Sequence, residues 1–230
     1  MSRAAQVDHL VIAAASLDEG VAWCEAKLGI TPANGGRHPL MGTHNRLLNI
    51  ASPGFPQAYL EIIAIEPGVA PTRTGDLRRW FDLDDAQLQA RLEANGPTLI
   101  HFVARVPNAE AAIRSLAALR IDRGRVLEAS RDTPAGRLSW QITVRDDGQR
   151  LYYGALPTLI EWGPVHPADS LPASPLQLRE LSLQHPRADA LAAAIDAVGL
   201  PQVGVASGPP RLLATFDTPR GRVTLDSAGA

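Results

Sequence analysis

The chain contains an internal repeat of a strand followed by a helix. Residues 7–14, VDHLVIAA, and residues 99–106, LIHFVARV, are both rich in strand-forming residues, and each places a histidine before two strand formers, at His9 and His101. Seven residues after each histidine stands a residue that typically begins a helix, Ser16 in the first copy and Asn108 in the second. This repeat constrains the fold more than any other feature, because it indicates related units instead of unrelated domains.

Three further strand-like runs follow each predicted helix, and the last run of each copy holds a glutamate among apolar residues, Glu61 and Glu161. The runs are 30–34, 44–50 and 59–65 in the first copy, and 125–129, 138–145 and 156–162 in the second. The sequence therefore predicts an α+β fold built of repeated βαβββ modules.

Turn-forming residues divide the chain into four predicted segments. Residues 1–66 form the first βαβββ module, 67–96 a helical connector packed on the sheets, and 97–167 the second βαβββ module. After a turn-rich break, residues 176–230 form a third, shorter βαβββ-like module, which repeats the order of elements without the histidine and glutamate pattern.

The composition excludes several classes of protein. The 22 Lys and Arg residues nearly balance 24 Asp and Glu residues, so no basic face for nucleic acid is expected. No apolar stretch approaches the length of a membrane span. A single cysteine, Cys24, rules out an internal disulfide and favours a cytoplasmic location. These features predict a protein that binds a small molecule and neither nucleic acid nor a membrane.

Strand alternation predicts which side chains share a face. In residues 7–14, His9 should lie on one face with Val7, Val11 and Ala13, and Asp8 on the opposite face with Leu10 and Ile12. A single histidine or glutamate in an apolar strand is usually a hydrogen-bonded core residue. Two imidazoles and two carboxylates at equivalent places in two units are harder to explain in that way, because burying unpaired carboxylates is costly. Such a set of side chains also suits a divalent metal ion.

The βαβββ repeat, with its histidines on the first and fifth strands and its glutamates on the fourth and eighth, resembles the vicinal oxygen chelate superfamily, which includes glyoxalase I, extradiol dioxygenases and bleomycin-resistance proteins. The segments DHLVIAAASLDEGVAW, YLEIIAIEP and PTLIEWGPVHP are similar to a bacterial glyoxalase-like subfamily. The resemblance implies two modules that enclose a cleft, and a homodimer. It also implies a divalent metal ion (Zn, Ni, Mn or Fe, or none in some members) held by His9, Glu61, His101 and Glu161.

The segment GGRHPLMGTHN, residues 35–45, is the second candidate for chemistry. Its glycines allow close backbone approach, and Arg37 could bind a carboxylate or phosphate through two hydrogen bonds. The alternative is a hairpin loop with solvated charges. We expect substrate contacts from Arg37, His38 and Asn45, and a catalytic contribution from His44. In the second module Trp140 is expected in the equivalent wall, together with Arg131, Arg137 and Gln141.

The sequence therefore predicts a metal-dependent enzyme of glyoxalase-like type, with lyase or isomerase chemistry on a small, oxygen-rich, anionic metabolite. Glu161 would be both a metal ligand and a general base that detaches from the metal. One alternative is a metal-free protein of the same fold that binds or sequesters a small molecule. Another is an iron-dependent dioxygenase of extradiol type, for which two histidines and one carboxylate would suffice.

Overall fold

A computed structural model of the chain describes residues 4–133 and 136–228. The first module has the predicted βαβββ order. Its elements are β1 (Gln6–Ala13), α1 (Leu17–Leu28), β2 (Ala33–His38), β3 (Thr43–Asn49) and β4 (Tyr59–Ile65).

Helix α1 begins where the sequence predicts, directly after Ser16. The side chain of Ser16 accepts a hydrogen bond from the backbone N–H of Glu19, which satisfies one of the free donors of the first turn. Gly29 ends the helix in the left-handed conformation, with φ 76°. Cys24 lies on the buried face of this helix, and burial raises the pKa of its thiol to about 12.

The second module repeats this order after a connector. The connector contains a short 3₁₀ turn, Trp80–Asp82, and helix α2 (Ala86–Asn95). The module's elements are β5 (Thr98–Arg105), α3 (Ala109–Ala118), β6 (Arg125–Thr133), β7 (Gly136–Val144) and β8 (Thr158–Trp162).

The two modules share one eight-stranded sheet in the order β2-β3-β4-β1-β5-β8-β7-β6. Within each module the first and last strands are parallel, β1 with β4 and β5 with β8. The modules join where β1 and β5 pair in antiparallel orientation. The predicted α+β fold of paired βαβββ modules is confirmed, and the join places the first strand of each module at the centre of the sheet.

The pairing of β1 with β5 is interrupted by a β-bulge at Asp8. Val7 lies opposite Ala104 and His9 lies opposite Val103, so Asp8 is an extra residue without a partner on β5. The bulge breaks the strict alternation of side chains. As a result Val7 packs in one core cluster of the sheet, whereas Val11 packs in the other.

The third unit contains β9 (Gln177–Gln184), α4 (Ala188–Ala197), β10 (Gly204–Ala206), β11 (Arg211–Thr218) and β12 (Gly221–Asp226). Its four-stranded sheet has the order β10-β9-β11-β12, so it repeats the βαβββ order along the chain but not the strand order of the other modules. Leu178 and Phe216 of this unit join the core cluster that contains Leu10 and Ile12 of β1. The third unit therefore covers one face of the large sheet.

The connector covers part of the opposite face. Trp80 and Phe81 pack there with Val11 and Ala13 of β1. Within the described residues, no helix combines the length and apolar composition that a membrane span requires.

Candidate functional site

A small cavity opens on the connector's side of the large sheet, between the two modules. Its volume is about 40 Å³, which is room for a few water molecules or the end of a small substrate. Polar side chains from both modules line it together with aromatic rings. The residues that matter for chemistry are His9, His38, Asn45, Glu61, Arg131 and Trp140.

His9 is held by Asp8, its neighbour in the strand. Nδ1 of His9 lies 2.7 Å from Oδ1 of Asp8, and both side chains are buried. The prediction that Asp8 lies on the opposite face from His9 is therefore wrong, because the bulge at Asp8 brings the two side chains together. Tyr59 stacks on the His9 ring at a centroid distance of 4.6 Å, which fixes the plane of the imidazole.

Asp8 also forms hydrogen bonds to the end of β8 and to the segment that follows it. Its Oδ2 accepts hydrogen bonds from Nε2 of His166 at 2.9 Å and from Nε1 of Trp162 at 3.0 Å. Nδ1 of His166 accepts the backbone N–H of Ala168, so the proton of this imidazole is on Nε2. Burial raises the pKa of Asp8, but the bonds from His166 and His9 outweigh it and hold this pKa far below its usual range.

With Asp8 ionised, Nδ1 of His9 carries the proton that this bond needs, and Nε2 of His9 presents a lone pair to the cavity. Across the cavity, Oε2 of Glu61 lies 3.6 Å from Nε2 of His9. The other oxygen of Glu61, Oε1, accepts a hydrogen bond of 2.6 Å from the side-chain amide of Asn45. Nε2 of His9 on β1 and Oε2 of Glu61 on β4 thus face each other. Asp8 fixes the His9 side chain by a hydrogen bond, and Asn45 does the same for Glu61.

Asn45 is itself fixed by the backbone of β2. Its Oδ1 accepts the N–H of Gly36 at 2.7 Å, so its Nδ2 points to Glu61 and to Nε2 of His38, which is 3.3 Å away. Nδ1 of His38 lies 3.1 Å from the hydroxyl of Thr43. In this arrangement His38 is neutral, and burial, opposed in part by Glu61, lowers its pKa to about 4.

The structure does not bring His101 to this pair. Val103, and not His101, lies opposite His9 in the β1–β5 pairing. Nδ1 of His101 bonds the backbone carbonyl of Gly154 at 2.8 Å, and Nε2 accepts the backbone N–H of Thr158 at 3.1 Å. Both ring nitrogens are occupied, and burial holds the pKa of His101 well below its usual value.

Glu161 also lies elsewhere. Along β8, Ile160 and Trp162 face the cavity, so Glu161 points to the other side of the sheet. There its Oε2 accepts the backbone N–H of Ala109, at the beginning of α3. The helix dipole and this hydrogen bond account for a carboxylate at that position.

The donor atoms do not fit the metal site of four ligands that the resemblance implies. His9 and Glu61 are close together, but His101 and Glu161 are engaged in other contacts. In residues 4–133 and 136–228, no group of three or more His, Cys, Asp or Glu side chains is placed to hold a metal ion. Catalytic zinc sites usually have three protein ligands. His38 also lines the cavity, but its Nε2 is engaged by the Asn45 amide, which leaves His9 and Glu61 as the available donors.

The loop residues expected at the substrate divide between two faces of the sheet. His38 and Asn45 line the cavity, as does Trp140 of the second module. The Arg37 side chain is mostly exposed, and its Nε lies 2.8 Å from Glu66. His44 alternates with Asn45 along β3 and therefore faces away from the cavity.

Sequence reasoning missed three parts of the site: the role of Asp8, the ring of Tyr59 and the cover formed by Trp80. Trp80 contacts His38 edge-on at a centroid distance of 5.0 Å, and Trp140 lies 5.5 Å from Trp162. An Asp directly before a strand histidine was a signal in the sequence. The β-bulge that brings Asp8 and His9 together could not be read from the sequence.

Taken together, the fold and the cavity define an α+β protein of paired βαβββ modules with a buried His–Asp pair beside a carboxylate. The sequence model of the glyoxalase-like domain family matches residues 7–199, and the chain belongs to this family. This match confirms the glyoxalase-like family that the sequence resemblance indicated. A search of curated proteins found no match.

Solved structures with a similar fold include a hypothetical protein from Staphylococcus aureus. It is 14% identical, the match covers 96% of this chain and 85% of that one, and the TM-score is 0.58. Methylmalonyl-CoA epimerases are also similar, from Mycobacterium tuberculosis (22% identity, 70% and 88% coverage, TM-score 0.39) and Streptomyces coelicolor (21% identity, 71% and 99% coverage, TM-score 0.40). The first likeness shows the fold alone, and the other two carry no conclusion about activity.

Proposed function

We propose that this protein is an enzyme that moves a proton at a carbon atom next to a carbonyl group of a small, oxygen-rich molecule. The reaction class is isomerase or lyase. The observation that carries the proposal is the distance of 3.6 Å between Nε2 of His9 and Oε2 of Glu61 in a small cavity.

His9 suits the role of the group that accepts or returns the proton. The bond to Asp8 selects the tautomer with the proton on Nδ1 and leaves Nε2 available. When Nε2 takes up a proton, the buried carboxylate of Asp8 stabilises the imidazolium. Stacking on Tyr59 keeps the ring in place, so little reorganisation is needed during the reaction.

Glu61 suits the complementary role. The Asn45 amide holds Oε1, which leaves Oε2 directed at the same space as Nε2 of His9. A carbon atom that contacts both atoms could lose a proton to Nε2 of His9, and the imidazolium formed would return that proton to the substrate. Oε2 of Glu61 can supply a proton from its own side only after it has taken one up. The aromatic cover of Trp80 and Trp140 limits access of water, which favours proton transfer within the site.

Because the donor set falls short of the implied metal site, no step of this proposal involves a metal ion. The reaction class that the sequence suggests is retained, and His9 and Glu61 carry it. Glu161 and His101 have the structural roles that their hydrogen bonds indicate.

The test is the exchange of carbon-bound hydrogen for deuterium. The protein is incubated in D₂O with 2-oxopentanedioate, 2-oxopentanoate and dihydroxyacetone phosphate, and the signals next to the carbonyl group are followed by proton NMR. We expect faster exchange than in buffer with at least one compound, reduced about a hundredfold or more by His9→Gln or Glu61→Gln. His44→Gln is the control, because His44 faces away from the cavity and should leave exchange unchanged.

Two results would contradict the proposal. Exchange that persists in both His9→Gln and Glu61→Gln would place the chemistry elsewhere. Binding of these compounds without exchange in the unaltered protein would favour the alternative of a protein that sequesters a small molecule.

A further inference from the structure

Arg131, on β6, stands between the inner cavity and an open groove. The groove has a volume of about 420 Å³ and runs along β2, with Leu47 and Pro167 shared between groove and cavity. Arg131 lines both spaces. A molecule that occupied both spaces would therefore contact Arg131.

The guanidinium of Arg131 rests directly on Gly36. A methyl group at position 36 would overlap Nη1 of Arg131. Gly35 and Gly36 together oppose Asn45 in a bulge of β2, and Gly36 does not have a positive φ. The backbone at position 36 would thus accept alanine, and the added methyl group would displace the flexible end of the Arg131 side chain.

The charge of Arg131 is not neutralised within the described chain. In residues 4–133 and 136–228, no carboxylate oxygen lies within 4.0 Å of its side-chain nitrogens, although Asp132 lines the same groove. Arg37, the other arginine of the groove, is paired with Glu66. The field of Arg131 reaches into the cavity, since it lowers the pKa of His38, after the larger effect of burial and against Glu61. An arginine without a carboxylate partner, beside the cavity, is suited to bind an anionic group.

We infer that the substrate carries an anionic group, a carboxylate or a phosphate, that binds Arg131 while its reacting end contacts His9 and Glu61. The inner cavity of about 40 Å³ admits only that reacting end, and the remainder extends past Arg131 into the groove. The inference rests on the proposed function and assigns to Arg131 the anion recognition that the sequence suggested for Arg37.

The experiment measures the dissociation constants of two pairs of compounds by isothermal titration calorimetry. Each pair differs by one anionic group: 2-oxopentanedioate against 2-oxopentanoate, and dihydroxyacetone phosphate against dihydroxyacetone. We expect the more anionic member of one pair to bind about tenfold more tightly or better, as a charge-assisted hydrogen bond predicts. The pair that shows the preference tells whether the group is a carboxylate or a phosphate.

Two different substitutions should remove this preference. Arg131→Gln removes the charge, and Gly36→Ala displaces the guanidinium without altering it. The matched controls are Arg114→Gln, an exposed arginine on α3, and Gly54→Ala, since an added methyl group at Gly54 meets no other atom within 4 Å. Both controls should keep the preference of the unaltered protein.

The inference is overturned if neither pair shows a preference, or if the preference survives in Arg131→Gln and Gly36→Ala. Its failure can be told apart from failure of the proposed function by deuterium exchange. If deuterium exchange depends on His9 and Glu61 but the dissociation constants do not change in Arg131→Gln, only the inference about Arg131 fails. If binding depends on Arg131 but no exchange occurs, the proton-transfer proposal fails.

Discussion

Oδ1 of Asp8 lies 2.7 Å from Nδ1 of His9, although the two residues are neighbours in a strand. Side chains of consecutive strand residues normally point to opposite faces, and only the bulge in β1 lets these two meet. The consequence is an imidazole whose free nitrogen faces Glu61 in the cavity.

Replacing Asp8 with Asn should abolish most of the activity. The Asn amide can donate to His9, which would favour the tautomer with the proton on Nε2 and remove the lone pair from the cavity. In other enzymes that use this pairing the loss reaches about ten thousandfold, and we expect at least a hundredfold loss of deuterium exchange here. Asp196→Asn is the control, because that exposed carboxylate lies on α4 and lines neither the cavity nor the groove. Activity retained in Asp8→Asn would contradict the role of the pair.

Replacing His166 with Ala should destabilise the protein. The variant leaves buried Asp8 without one of its three donors, at a cost of about 1–3 kcal/mol in the free energy of unfolding. Urea denaturation measures this cost. His185→Ala provides the comparison, since Nδ1 of His185 also accepts a backbone N–H two residues further on but the ring contacts no carboxylate among the described residues. Equal losses in the two variants would show that the bond to Asp8 contributes nothing.

Stability should fall as the pH is lowered from about 6.5 towards 4, in part because of His38. An imidazole in the unfolded chain binds a proton near pH 6.5, whereas burial lowers the pKa of His38 to about 4 in the folded protein. The unfolded state therefore binds more protons in this window, and above it the residue is neutral in both states and contributes nothing.

Between pH 7 and pH 5 the contribution of His38 should be on the order of 2 kcal/mol. The free energy of unfolding is measured at both pH values for the unaltered protein and for His38→Asn. The decrease should be smaller in the variant by this amount. An identical decrease in both proteins would contradict a neutral, buried His38.

Replacing Asn45 with Asp should impair both activity and stability. A carboxylate at this position would lie against Oε1 of Glu61, where the amide now donates a hydrogen bond of 2.6 Å. Like charges at this distance repel, so we expect a loss of about 1–3 kcal/mol in unfolding free energy and displacement of Glu61. Asn49→Asp on the same strand is the control, since the Asn49 oxygen only accepts from the backbone of Ala51. Equal behaviour of the two variants would show that Asn45 does not position Glu61.

The fold and half of the site could be predicted from the sequence. The histidine and glutamate repeat indicated paired βαβββ modules, and it identified His9 and Glu61, which the structure places 3.6 Å apart. The prediction that His101 and Glu161 join the same site, as the equivalents of His9 and Glu61, is wrong. His101 and Glu161 occupy matching strands, but their side chains bond Gly154 and Ala109.

What could not be predicted depends on contacts between distant segments. The bulge at Asp8 depends on the pairing of β1 with β5, and the bond from His166 joins residues 158 positions apart in the chain. Likewise, the sequence alone does not separate Arg37 from Arg131. In the structure Arg37 pairs with Glu66, whereas Arg131 lines the cavity.

The central claim is that Asp8 holds His9 with Nε2 free and directed at Glu61. Nitrogen-15 NMR of the histidine side chains at pH 8 tests it directly, with His9→Gln used to assign the signals. We predict a proton on Nδ1 of His9 and an unprotonated Nε2. A proton on Nε2, with Nδ1 unprotonated, would contradict the account.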